Sequence, residues 1–143
     1  MDHVVYLDSK AKELDLLLAG QKTMLVRGAA GRKMPYNRVF SGDMLYLINN
    51  NAEGLIVARA TVKSVLNSEK MTKEASIDLV HQHSGQLQLS KHQFTRWAGK
   101  RYLVLIEIQR LQELEPFAID KSAFGNMDDW LPVEQIEKVR LST

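Results

Sequence analysis

The chain has 143 residues and a net charge of +2, and its 45% hydrophobic and 25% charged content excludes a disordered or fibrous protein. It contains no cysteine, which excludes disulfides, thiol nucleophiles and cysteine-ligated zinc. No secretory signal pattern and no membrane-length apolar stretch occur, so we expect a single soluble domain over residues 1–143, located in the cytoplasm.

Apolar runs in the first half of the chain predict strands separated by one helix. The predicted strands are residues 3–7, 22–27, 44–48 and 55–65. A helix follows the first strand and ends at Gly20, with Lys10 and Lys12 on its solvated side, away from any binding cleft. Residues 28–42 contain three glycines and one proline, so we expect a long loop there.

The second half of the chain predicts two helices, a central strand and a C-terminal tail. The predicted elements are helices at 71–82, capped by Thr72, and 90–97, a strand at 101–109, an edge strand at 116–119 and a final helix at 133–138 begun by Pro132. This order favours an α+β fold in which a mixed sheet curls into a barrel with flanking helices.

Positive charges are concentrated in two stretches that contain no acid, residues 16–42 and 79–106. The first holds Lys22, Arg27, Arg32, Lys33 and Arg38, and the second holds Lys91, Arg96, Lys100 and Arg101. Residues 107–137 are instead rich in acids. If the two basic stretches meet in space, they form a surface suited to a phosphate-bearing partner.

The junction between the first helix and the second strand reads Gly20-x-Lys22 and continues to Arg27, a G-x-K-x-x-x-x-R spacing. With the turn Ser41-Gly42-Asp43 before the next strand, this sequence resembles the ASCH family, relatives of the PUA RNA-binding domain. The resemblance covers roughly residues 3–110. It implies a PUA-like barrel, with the tail at 111–143 packed on it, and a cleft lined by Lys22 and Arg27 that receives nucleic acid or a nucleobase compound.

Strand geometry restricts how these two cations can meet. Side chains alternate between faces along a strand, so Lys22 and Arg27 point to opposite faces of a regular strand. They converge only if Lys22 lies in the turn after Gly20 or if the strand bends.

The loop at 28–42 has the composition of a site for single-stranded nucleic acid, since glycines permit close approach to phosphate while cations and one tyrosine face the ligand. It lacks the spacing of a P-loop. We therefore expect RNA or a nucleotide as partner, with no cofactor, metal or membrane. The predicted binding residues are Lys22, Arg27, Arg32, Lys33, Tyr36, Arg38, Lys100 and Arg101.

Two other functions stay open. The resemblance implies a hydrolase acting on RNA or on an N-acylated nucleoside as the first alternative, for which Lys22, Thr23 and Glu74 are the candidate catalytic residues. Leu25 stands where the family has a threonine or glutamate, which weakens this alternative because a hydroxyl nucleophile needs a base within reach. A protein-binding adaptor is the other.

The tail contains one large aromatic residue, Trp130, next to a pair of aspartates. We expect Trp130 to pack the tail onto the barrel. Asp128 and Asp129 are expected to cap the following turn, although an acidic tail could also compete with nucleic acid for a basic cleft. With no third carboxylate at metal spacing, this pair does not predict a metal site.

Overall fold

The computed structural model describes residues 1–125 and 129–141, and in this part the chain forms six strands, four α-helices and one 3-10 turn. The elements are β1 Asp2–Leu7, α1 Glu13–Leu18, β2 Met24–Ala29, β3 Met44–Asn49, β4 Leu55–Asn67, α2 Lys73–Gln82, α3 Ser84–Leu87, α4 Lys91–Trp97, β5 Tyr102–Ala118, β6 Trp130–Glu134 and the turn Ile136–Lys138. None of the helices in these ranges is long and apolar enough to cross a membrane.

The strands form one mixed sheet in the order β2-β5-β4-β3-β1-β6. β1 runs parallel to β3, and the other neighbouring strands are antiparallel. β2 and β1 lie four positions apart, which is roughly 19 Å in a flat sheet. Arg27 of β2 nevertheless donates a hydrogen bond of 2.9 Å to the carbonyl of Tyr6 in β1. The sheet is therefore strongly curled.

Apolar side chains of all six strands meet on the concave face. They include Val5 from β1, Leu25 from β2, Leu47 from β3, Ala60 from β4, Ile106 from β5 and Trp130 from β6. Trp130 is buried within this cluster. The predicted α+β fold with a curled mixed sheet and flanking helices is confirmed.

The helices cover the outer side of the β2 edge. α3 and α4 pack on β2 through a second cluster that includes Met24, Leu87 and Trp97. Their starts follow the expected capping chemistry: the Thr72 hydroxyl accepts the Ala75 amide before α2, and a Ser90 capping box opens α4. The helices predicted at 71–82 and 90–97 are thus confirmed.

The first helix is shorter than predicted, because Lys12 adopts a left-handed backbone conformation (φ 55°) that a helix cannot include. α1 begins only at Glu13. The prediction that Lys10 and Lys12 lie on this helix is wrong, because both precede it in a turn.

Two predictions about the tail are also wrong. Residues 116–118 continue β5 instead of forming a separate edge strand, and Pro116 falls in a register shift between Ile56 and Ala58 of β4, where the proline disrupts no regular ladder. Pro132 and Val133 lie in β6 and do not begin a helix. A positive φ of 65° at Glu134 ends that strand, and the 3-10 turn at Ile136–Lys138 follows it.

A buried hydrogen-bonded chain joins β1, the turn before β3 and β6. The indole N–H of Trp130 donates to His3 Nδ1 over 3.1 Å, and His3 Nε2 lies 3.0 Å from Asp43 Oδ2. Because Nδ1 accepts a hydrogen bond, the ring proton lies on Nε2 and is donated to Asp43. His3 is 0% exposed. Burial lowers its pKa, and the Asp43 carboxylate only partly opposes this.

We expect this histidine to make the fold sensitive to mild acid. Below about pH 6.5 the unfolded chain takes up the proton that the folded chain resists, so the free energy of unfolding falls as pH falls, by about 1.4 kcal/mol for each unit between the two pKa values. Urea unfolding at pH 7.5 and 5.0 measures this loss. It should be smaller in His3→Gln and unchanged in the control His92→Gln, whose histidine is exposed on α4. Equal losses of unfolding free energy in wild type and His3→Gln would show that His3 is not the source of the acid sensitivity.

Candidate functional site

A cleft of about 380 Å³ opens beside the end of β1, where α4 and the residue before β6 also reach the surface. Its charged lining consists of four cations, Lys10, Arg27, Arg96 and Lys121, and three acids, Asp8, Glu13 and Asp129. The cleft is thus mixed in charge with a small excess of positive residues. Of the eight binding residues predicted from the sequence, Arg27 lines this cleft.

Arg27 forms one wall of the cleft and is only 7% exposed. Its two terminal nitrogens donate to backbone carbonyls, Nη1 to Val26 over 2.8 Å and Nη2 to Tyr6 over 2.9 Å. The guanidinium carbon lies 5.5 Å from the ring centre of Trp97 and 5.7 Å from that of Trp130. Two carbonyls and two aromatic faces therefore partly compensate a charge that has been removed from water.

Arg96 of α4 also lies over the Trp97 ring. Its guanidinium carbon is 4.3 Å from the Trp97 ring centre, and Nη2 is 3.6 Å from Asp129 Oδ2. The same carboxylate oxygen lies 3.3 Å from Arg27 Nε. The Arg96 side chain is 55% exposed. Trp97 thus contacts both guanidinium groups and is itself buried, so it does not offer a free face for stacking.

Beneath the cleft floor lies a buried ion pair. Lys22 Nζ is 3.2 Å from Glu13 Oε2 and also donates to the Leu87 carbonyl. Gln93 Nε2 donates to Glu13 Oε2 over 3.1 Å, and the Asp8 amide donates to Oε1 over 3.1 Å. Burial lowers the pKa of Lys22, and the Glu13 carboxylate opposes this effect.

Lys22 satisfies the first of the two conditions under which it could approach Arg27, because it lies in the turn before the strand. β2 begins only at Met24, and the Lys22 amide donates to the Leu16 carbonyl, so Lys22 lies in the turn after α1. With 2% exposure, it lies behind Glu13 and does not line the cleft.

The remaining predicted cations lie around the loop at 28–42 and the start of β5. Arg32, Lys33, Arg38, Lys100 and Arg101 are all exposed. The Arg32 guanidinium lies 5.7 Å from the ring centres of both Tyr36 and Tyr102. The Tyr36 hydroxyl donates to the Ser68 carbonyl. Lys33, Tyr36 and Arg27 share the lining of a second, much smaller cavity of about 10 Å³, so this loop adjoins the cleft at Arg27.

The residues predicted for a hydrolase do not converge. Thr23 and Glu74 are exposed, Glu74 lies in the first turn of α2, and neither lines the cleft. Lys22 pairs with Glu13, a carboxylate that the sequence interpretation missed. Its signal was available, because Glu13 and Leu17 are four residues apart and so share the inward face of α1.

The cleft lining from the tail includes Asp129 and Lys121, which the sequence interpretation did not list among the site residues. Asp129 pairs with Arg27 and Arg96, whereas Asp128 lies outside the described residues. Lys121 donates to the Tyr6 hydroxyl over 3.0 Å. Gln93 was also missed, although the spacing Ser90-x-x-Gln93 of a capping box marks it as a residue with a fixed side chain.

The buried pair makes Glu13 a strong determinant of stability. Glu13→Ala leaves Lys22 buried without a counter-charge, and we expect a cost of about 3 to 5 kcal/mol in urea unfolding. The double variant Glu13→Leu with Lys22→Met removes both charges and should recover most of that loss. Exposed Glu74→Ala is the control, with a change within about 0.5 kcal/mol. If Glu13→Ala lowers the free energy of unfolding no more than Glu74→Ala does, the buried pair between Glu13 and Lys22 is refuted.

Comparison with known proteins places the chain by its fold. Neither a protein-family model nor a curated protein sequence matches it. The crystal structure of ASCH from Zymomonas mobilis superposes with a TM-score of 0.66 at 16% identity, covering 96% of this chain and 92% of that one. A tyrosine-to-phenylalanine mutant of the same protein gives 0.67 at 14% identity, covering 96% and 94%. The chain therefore has the fold of ASCH domains, as the residues from Gly20 to Arg27 implied.

Proposed function

We propose that the protein binds single-stranded RNA, with one nucleotide in the cleft beside Arg27 and adjacent nucleotides along the basic surface of the loop at 28–42. The observation that carries the proposal is that Arg27 lines both the cleft and the small cavity that it shares with Lys33 and Tyr36 of this loop. Its volume of about 380 Å³ falls within the range of small-ligand sites.

The pairing of β2 with β5 supports an electrostatic contribution. Ala29 lies opposite Tyr102, and Gly28 opposite Leu103. A Cβ built on Gly28 would lie 3.2 Å from the Lys100 side chain, so the end of β2 and the segment before β5 are in close contact. The two stretches without acids are thus brought side by side, which suits a polyanion that extends over several nucleotides.

The cleft also has the chemistry to hold a base. The partly exposed ring of Tyr6 offers a flat surface for stacking, since tyrosine stacks on bases. Asp8, Ser9 and Asn50 line the cleft and supply donors and acceptors for a base edge. A concave site of this size requires an unpaired base, which favours single strands over duplexes.

We expect Arg96→Gln to weaken binding of a short single-stranded RNA about tenfold, because it removes a charge-assisted contact in the cleft. Arg110→Gln is the matched control: it also removes one exposed arginine, on β5 and outside the cleft lining. Fluorescence anisotropy at fixed salt gives both affinities. For wild type, the affinity should fall about 50-fold between 50 and 200 mM salt if four phosphates are contacted.

Equal losses in the two arginine variants would mean that only diffuse charge attracts RNA, and the cleft would have no special role. Binding that does not respond to salt would argue against phosphate contacts altogether. Thermal melting of each variant verifies that the fold persists.

A second candidate function is hydrolysis of an N-acylated nucleoside. The observation in its favour is that Glu13, whose partner Lys22 has a lowered pKa, forms part of the cleft lining. Against it, the Lys22 ammonium contacts a carboxylate and a carbonyl, with no hydroxyl nucleophile among its described partners. Binding is therefore the function that we favour.

An acetate-release assay with N4-acetylcytidine separates the two functions. We expect no turnover above that of a buffer control. Release near 1 per second, which is the lower end of typical enzyme rates, would contradict binding as the sole activity. Loss of that turnover in Glu13→Gln, with retained folding, would then assign it to this cleft.

A further inference from the structure

The Arg27 guanidinium has one nitrogen whose hydrogen-bonding capacity is poorly used. Nη1 and Nη2 bond to carbonyls, but Nε is buried and has no partner at hydrogen-bond geometry within the described residues. Asp129 Oδ2 lies 3.3 Å away, close enough for an ion pair. Arg27 thus directs a buried donor into the cleft, where its present acceptor is poorly aligned.

Asp129 is held at this position by its backbone. The Tyr6 amide donates to the Asp129 carbonyl over 3.0 Å, which extends the pairing of β1 with β6 by one residue. The carboxylate then stands between Arg27 Nε and, at 3.6 Å, Arg96 Nη2. Because its side chain is 35% exposed, a rotation about its own bonds can withdraw the carboxylate while the backbone bond to Tyr6 remains.

We infer that Arg27 and Arg96 form a subsite for a phosphate group of the bound nucleotide, and that Asp129 occupies this subsite as an internal counter-ion when no ligand is bound. This inference rests on the proposed binding function and adds to it the ligand group recognised in the cleft.

The energetics of the two anions explain the exchange. A buried guanidinium without a nearby anion is costly, so the empty cleft needs a carboxylate beside Arg27. A terminal phosphate, as in a nucleoside 5′-monophosphate or at the end of an RNA strand, offers more acceptor oxygens than a carboxylate and carries a charge of about −1.5 to −2 at pH 7. It can accept from Arg27 Nε and from Arg96 at once, in the planar geometry that arginine favours. Lys10 and Lys121 in the same lining add attraction.

Competition between the two anions has a direct consequence: removing the internal carboxylate should tighten phosphate binding. We expect Asp129→Asn to raise the affinity for cytidine 5′-monophosphate and for inorganic phosphate about tenfold. Cytidine, which lacks a phosphate, should bind equally well to both forms. Asp78→Asn is the matched control, since it removes one exposed aspartate from α2, outside the cleft.

Calorimetric titration at constant ionic strength measures all three probes, and thermal melting verifies folding. The variant Arg96→Gln keeps the pair between Arg27 and Asp129, so it tests the subsite even if Asp129→Asn is unstable. It should lose about tenfold in affinity for both phosphate probes and none for cytidine. In the double variant Arg96→Gln with Asp129→Asn, the gain in phosphate affinity from Asp129→Asn should be smaller, because both residues act on the same phosphate group.

The outcomes separate this inference from the broader proposal. If wild type binds RNA but Asp129→Asn changes phosphate binding no more than Asp78→Asn does, the subsite is overturned and RNA binding stands. Equal gains for cytidine and its monophosphate would likewise overturn it. If both phosphate probes respond as expected while RNA does not bind, the subsite stands and RNA as the partner is rejected. If no variant binds any probe, both are rejected.

Discussion

The Arg27 guanidinium joins parts of the chain that lie four strands apart in the sheet order. It extends from β2, at one end of the sheet, to the Tyr6 carbonyl of β1 and to Asp129, immediately before the strand at the other end. Two tryptophans flank it. A charge placed there must find its partners within a few ångströms, because burying it unpaired is too costly. This requirement is met because the curl of the sheet brings the Tyr6 carbonyl to Arg27. The tail supplies Asp129, and the tryptophans supply aromatic faces.

The two buried cations at the junction of α1 and β2, Lys22 and Arg27, have different partners. Lys22 is enclosed by Glu13 and the Leu87 carbonyl, and Gln93 completes the coordination of that carboxylate. Lys22 is buried and does not line the cleft, so it is not in a position to contact a ligand there. Arg27 faces the cleft with an incompletely bonded nitrogen. Lys22 and Arg27 therefore have separate positions in the structure. Lys22 supports the floor of the cleft, and Arg27 presents its charge to the cleft.

Local patterns in the sequence predicted most of the fold. Apolar runs located β1 to β5, and Thr72 and the segment beginning at Ser90 marked helix starts, because these features depend on near neighbours. The cleft was less predictable. Asp129 reaches Arg27 through the pairing of β1 with β6, and Lys121 reaches Tyr6 across 115 residues; neither contact leaves a trace in local spacing. Lys10 was misplaced because its turn depends on an unusual backbone angle at Lys12, which no residue preference indicated.

The central claim is that nucleotides bind in the cleft beside Arg27 and Arg96, and the two tryptophans of the chain report on it directly. Trp97 contacts both arginines, whereas the Trp130 indole N–H is bonded to His3 in the core. We predict that titration with cytidine 5′-monophosphate, followed by ¹H–¹⁵N NMR, shifts the Trp97 indole signal strongly and the Trp130 signal much less. Saturable binding that leaves the Trp97 signal unmoved would contradict the account.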